Sequence, residues 1–247
     1  MKYLFANWKM YLGVKESVAL AKTIVAMTRK IQKNNLRLAL FPTSLAFTDV
    51  VSVCKGSRVA VGGQNCAWTP AGAYTGAVSA QMFRDAGAAY MIVGHSERRH
   101  IFGERDSDVR KKIDACLSAG IIPIICIGET REERENGKRQ YRLKKQLMSA
   151  CQGLDVKDNE IIIAYEPVWA IGTGDACAPA DTDDVHGWIA HELRSYTSAQ
   201  VPILYGGSVD AENVHNYLAL GTVHGLLVGT ASTKKESLAA IFRAARV

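Results

Sequence analysis

Glu166 sits between an apolar run and a proline, the position of a candidate general base. Ile161, Ile162 and Ile163 lead through Ala164 and Tyr165 into it, a β-branched run that reads as a strand buried on both faces. Pro167 fixes its own φ and biases Glu166 away from the helical region, which holds the carboxylate at the strand's carboxyl end. The following Val168-Trp169-Ala170-Ile171-Gly172-Thr173-Gly174 is apolar, has neither helix nor strand period, and ends in two glycines. Such a loop suits a lid that covers a site and excludes water. The plainer reading is a glutamate on a surface turn, with Trp169 packed on a neighbouring helix.

Other chemistry-bearing residues recur at the same kind of place, just past an apolar segment. Asn7 and Lys9 follow the first, Gln64 and Asn65 the third, His95 and Glu97 the fourth, and Glu129 the fifth. Gly206-Gly207-Ser208 follows the seventh and Gly229-Thr230 the eighth. Taken singly, a histidine here caps or packs and a lysine is solvated; their convergence with Glu166 is the informative fact. A carboxylate base, an imidazole and an ammonium together suit proton abstraction next to a carbonyl, where negative charge builds on oxygen. The glycine pairs let successive backbone N–H groups point at an anion, and a short helix after the eighth strand adds its positive end. Two tight turns are the alternative. Gly172-Thr173-Gly174 lacks the third glycine of a dinucleotide fingerprint, and no P-loop is present, so a small phosphorylated metabolite fits better than a nucleotide.

The elements that must position these groups alternate. Strands are expected at Tyr3–Asn7, Leu36–Phe41, Val59–Gln64, Tyr90–Gly94, Ile121–Ile127, Ile161–Tyr165, Val201–Tyr205 and Gly225–Val228. Helical spacing runs from Ser17 to Ile31, after Pro42, and over Ser79–Ala86, Asp106–Ser118, Asp181–Tyr196, Glu212–Leu218 and Lys234–Arg246; Arg131–Met148 is helical with a break at Gly137. Eight strand–helix units without a linker predict one domain over residues 1–247: a (β/α)8 barrel with a parallel closed sheet and outer helices. In a barrel all the polar sites above lie on the carboxyl-terminal rim, where such folds place catalysis.

Composition is compatible. The chain has 247 residues, 48% hydrophobic and 22% charged, as in soluble globular proteins. No apolar run has membrane-spanning length, and Asn7 and Lys9 interrupt the N-terminal segment too soon for a signal peptide. Six cysteines without metal-type spacing read as reduced thiols in the cytoplasm. The net charge of +6 is spread through amphipathic segments without an arginine-rich arm or nucleic-acid motif, so neither nucleic acid nor membrane is expected as a partner.

Asn7-Trp8-Lys9-Met10, Gly94-His95-Ser96-Glu97-Arg98-Arg99, Cys126-Ile127-Gly128-Glu129-Thr130, Tyr165–Gly174 and Tyr205-Gly206-Gly207-Ser208-Val209 resemble the triosephosphate isomerase family, in register along essentially the whole chain. The resemblance implies interconversion of dihydroxyacetone phosphate and D-glyceraldehyde 3-phosphate without metal or cofactor. It implies Glu166 as base, His95 as electrophile at the carbonyl and enediol oxygens, Lys9 and Asn7 against the substrate oxygens, and Glu97 as a supporting acid. It further implies that the backbone N–H groups of Gly172, Ser208, Gly229 and Thr230 hold the phosphate. The Gln64–Val78 loop, long and carrying apolar Trp68, Ala73 and Tyr74, would build a homodimer and bring Thr75 near a partner's site. The chain departs from the family pattern at Thr230, at Asp175-Ala176-Cys177, at Ala77 and at Tyr11, none of them a catalytic side chain. Two competing readings are isomerisation of another small phosphosugar, such as a tetrulose phosphate, and a catalytically silent barrel; Glu166, His95 and Lys9 are all retained, against the silent one.

Overall fold

The computed structural model describes residues 1–29, 36–158, 160–172 and 175–245. Strands β1 (Lys2–Asn7), β2 (Leu36–Phe41), β3 (Val59–Gly63), β4 (Tyr90–Val93), β5 (Ile122–Ile127), β6 (Ile162–Tyr165), β7 (Ile203–Tyr205) and β8 (Gly225–Val228) pair in sequence order. All pairs are parallel, and β1 pairs with both β2 and β8, which closes the barrel. The helices between them are α1 (Val14–Thr28), α2 (Phe47–Cys54), α3 (Ala80–Asp85), α4 (Ser96–His100), α5 (Asp106–Ser118), α6 (Arg131–Glu135), α7 (Arg139–Cys151), α8 (Pro179–Leu193), α9 (Val214–Leu218) and α10 (Lys235–Ala244).

The period of two in a strand sorts each one's side chains into two buried sets. Tyr3, Phe5, Ala39, Phe41, Tyr90, Ile92, Ile124, Cys126, Ile162, Ala164, Leu204 and Leu227 form one cluster, the filling of the barrel. The alternate residues, such as Leu4, Ala6, Leu38, Leu40, Ile125 and Ile163, join the helices in the larger outer cluster. Continuing the inward row by one step toward the rim reaches Asn7, the last residue of β1, after Phe5, and, just past their strands, Glu166 after Ala164, Gly206 after Leu204 and Gly229 after Leu227. The alternation that fills the barrel thus also aims the rim residues at its axis.

Gly137, at φ 67°, breaks the Arg131–Met148 helix into α6 and α7 as expected, with α7 running on to Cys151. Other boundaries differ where local chemistry intervenes. β7 starts at Ile203 and not at Val201, because Pro202 has no N–H to give a ladder. α8 starts two residues early, with Pro179 in its first turn, where the missing N–H costs nothing. Ser79 caps α3 by accepting from Met82 N at 3.1 Å. The expected ends of the first helix at Ile31 and of the last at Arg246 lie outside the described residues, as do Thr173 and Gly174. The short α4 was not expected.

Candidate active site

Asn7, Lys9, His95, Glu166, Gly172, Ser208, Gly229 and Thr230 line one cleft of about 240 Å³ at the carboxyl-terminal rim. Glu97 is set just outside it, in an adjoining groove of about 840 Å³ that Lys9 and His95 also line.

Glu166 is only 2% exposed, and its backbone is pinned to the strand end: its N–H donates to Ile127 O at 2.7 Å. Gly128 permits this approach, since a Cβ there would stand 1.8 Å from the Glu166 carbonyl oxygen. A Cβ on Gly206 would reach the Glu166 Cγ at 3.0 Å, so a larger residue would press on the side chain. The carboxylate takes the Ser96 N–H on Oε2 at 2.8 Å, and its Oε1 lies 3.1 Å from His95 Nε2.

The protonation of His95 follows from its neighbours. Glu97 N–H donates to His95 Nδ1 at 3.2 Å, which requires a lone pair on Nδ1. Glu97 Oε2 is 3.6 Å from the same nitrogen, too far to make Nδ1 a donor. The ring is therefore the neutral tautomer with its proton on Nε2, aimed at Glu166 and the cleft. His95 precedes α4 and caps it, so the helix that sequence reading missed is what fixes the imidazole. A five-residue helix leaves too little periodicity to register as a pattern.

Lys9 has φ 50°, the only non-glycine left-handed backbone among the described residues. Its turn is held by Asn7 Oδ1, which accepts from Lys9 N at 3.0 Å, and by Gln64 Nε2, which donates to Lys9 O at 2.7 Å and to Phe41 O at 2.9 Å. The Lys9 ammonium donates to Glu97 Oε1 at 2.8 Å. Gly229 leaves it room, since a Cβ there would lie 3.2 Å from Lys9 Cε. Asn65, the other polar residue after β3, turns away and accepts from Lys112 Nζ at 2.7 Å.

Glu129 does not enter the cleft. Fully buried, it accepts from Tyr165 Oη at 3.0 Å and from Trp169 Nε1 at 2.9 Å, tying the residues on either side of Glu166 to β5. Burial raises its carboxyl above the ordinary range, against the pull of the Trp169 and Tyr165 hydrogen bonds. Ser208 Oγ donates to Ala170 O at 2.6 Å, Cys177 N–H to Tyr205 Oη at 3.2 Å, and Tyr217 Oη to Cys177 O at 2.6 Å, so both flanks of the 167–177 loop are anchored. These anchors were not legible in the sequence, because tyrosines within strands and helices read as core. All six cysteines are buried and free.

A neutral imidazole N–H, an ammonium and a buried carboxylate around one cleft, which Gly229 and Ser208 also line, can move a proton between carbons of a small oxygen-rich anion. The family model described as "Triosephosphate isomerase" matches residues 2–245. The chain is similar to the triosephosphate isomerase of Aquifex aeolicus, 41% identical over 243 residues that cover 97% of this chain and 98% of that protein. It is also similar to that of Xanthobacter autotrophicus, 42% identical over 242 residues, 96% and 94% of the two chains. The crystal structure of triosephosphate isomerase from Bartonella henselae superposes with a TM-score of 0.90 at 34% identity, covering 100% of this chain and 99% of that one.

Proposed function

The chain belongs to the triosephosphate isomerase family and interconverts dihydroxyacetone phosphate and D-glyceraldehyde 3-phosphate, a step of glycolysis and gluconeogenesis, and we propose that it does so through the cleft on the barrel rim. The observation that carries this assignment is the buried Glu166 carboxylate beside the Nε2 of a neutral His95. Glu166 removes a proton from the hydroxyl-bearing carbon beside the carbonyl and returns it to the former carbonyl carbon, while the hydroxyl proton passes to the former carbonyl oxygen. His95 Nε2–H donates to the oxygen on which negative charge builds, and Lys9 adds a fixed positive charge to the same region. Asn7 holds the Lys9 turn and sits against the substrate oxygens; Glu97 keeps the ammonium and imidazole in place. The phosphate is held by backbone N–H groups of Gly172, Ser208, Gly229 and Thr230, which share the cleft with Glu166. None of these steps uses a cofactor.

We further propose that the 247 residues act as one domain and pair as a homodimer through the Gln64–Val78 loop. The groove beside Lys9 supports the pairing, since Leu45, Trp68, Tyr74 and Phe102 line it and are exposed, more apolar surface than isolated side chains explain. No helix among the described residues is long and apolar enough to cross a membrane, and free buried thiols suit a reducing compartment, so we place the protein in the cytoplasm.

Glu166→Gln keeps the shape and removes the base. Its kcat should fall by at least ~10² to 10⁴ while KM changes much less, the phosphate being held elsewhere. Activity within tenfold of the parent would refute the assignment.

A further inference from the structure

Trp169 lies three residues past Glu166, and its indole is gripped from two directions. Nε1 donates to Glu129 Oε1 at 2.9 Å, and the guanidinium carbon of Arg134 stands 4.0 Å from the ring centroid. Arg131 is farther off, at 5.8 Å, and reaches Asp175 with both side chains more than half exposed. Arg134 belongs to the five-residue α6, too short to hold a long side chain flat by itself.

Asp181, in the first turn of α8, supplies the hold. Its Oδ2 accepts from Arg134 Nη2 at 2.9 Å, and its Oδ1 accepts from Arg139 Nη1 on α7 at 2.7 Å. Cys177, where the chain returns from the loop, directs its Sγ at Asp181 Oδ2 across 3.5 Å. One carboxylate therefore joins α6, α7, α8 and the loop's return, and through Arg134 it reaches the indole at the loop's start. A pair with side chains 39% and 22% exposed adds little to fold stability. Its consequence is geometric: it removes the rotational freedom of the Arg134 side chain and keeps the guanidinium over the indole.

We propose that Asp181 and Arg134 are positioning residues for proton transfer: Asp181 holds the Arg134 guanidinium against Trp169, and so keeps the segment 166–169 where the Glu166 carboxylate meets the reacting carbon. This rests on the reading of Glu166 as the base. Neither residue lines the cleft, so their removal leaves the phosphate contacts alone. Proton transfer is far more sensitive to placement than binding is, a 1 Å error at the reacting atoms costing about a hundredfold.

The test compares full-length Asp181→Asn, Arg134→Met, their double variant and Glu166→Gln with the parent, reading kcat and KM separately and the thermal midpoint of each. Asp181→Asn preserves shape, and Arg134→Met preserves the apolar stem. Each single variant is expected to lower kcat about five- to twentyfold with KM within about threefold of the parent, a fraction of the full cost of misplacement. The double variant should be no slower than the slower single one, because the two act as a unit. A kcat within twofold of the parent for either single variant, a change confined to KM, or independent multiplication of the two effects overturns the proposal. Glu166→Gln separates the two levels: if it is inactive while Asp181→Asn is parental, only the positioning role falls; if it is active, both fall.

Discussion

Acid should weaken this fold through His186, a residue outside the cleft. It is fully buried on α8, with Nδ1 3.4 Å from Thr222 O, its ring set edge-on to Tyr165 at 5.8 Å, and Nε2 without a partner among the described residues. Burial drives its pKa down from 6.5 to about 4, against the pull of the Thr222 carbonyl. The folded chain keeps the ring neutral while the unfolded chain protonates it normally, so the unfolded state binds more protons between those two values. Stability is then unaffected above pH 6.5, falls as pH drops below it, and levels off near pH 4. At about 1.4 kcal/mol per unit, the loss from this residue is about 2 kcal/mol at pH 5.0 and about 3 kcal/mol in full. The assay is urea unfolding of the parent and of His186→Phe at pH 7.5 and 5.0, at one fixed protein concentration. Phenylalanine keeps a ring against Tyr165 and has no proton to bind; whatever packing strain it adds is the same at both pH values and cancels. Carboxylates titrate in both proteins and cancel too. The pH-dependent loss should be smaller in His186→Phe by ~1–2 kcal/mol. Equal losses in the two proteins would refute the reasoning, showing that His186 titrates alike in the folded and unfolded chains.

Thr230 carries no left-handed strain, since Lys9 alone among the described non-glycine residues has positive φ; Thr230→Gly should therefore destabilise by about 0.5–1 kcal/mol, with KM rising less than about tenfold. A higher thermal midpoint for Thr230→Gly would contradict this. Asp175 meets Arg131 at 3.3 Å on an exposed surface, so Asp175→Lys should change kcat and KM together and less than about threefold, and leave the pH–rate profile unmoved; a displaced profile would mean that Asp175 acts on the titrating groups. Light scattering at micromolar concentration should give twice the mass of the chain, and an active monomer there would rule out the dimer.

What could be read in the sequence was what depends on short spacing. Runs such as Ile161 to Ile163 predicted the barrel, and the residues that close or follow such runs predicted the rim positions of Asn7, Glu166, Gly206 and Gly229, because both are short-range features of the chain. The prolines act locally too, and Pro202, inside the expected Val201–Tyr205 strand, delays the start of β7 to Ile203. The groups that hold the candidate site's side chains were not legible, because they come from remote parts of the chain or from the backbone. Ser96 N–H reaches Glu166 across 70 residues, Gln64 supports the Lys9 turn across 55, and Asp181 reaches Arg134 across 47. Each of those residues has an ordinary local explanation as a helix start, a strand end or a surface charge. Only barrel closure gives them a second role, by placing neighbouring strand ends side by side. That division has a consequence for variants of this chain. Substitutions at the residues legible in sequence should remove chemistry outright, whereas substitutions at the remote supports should leave the groups present and misplace them, lowering kcat without abolishing binding.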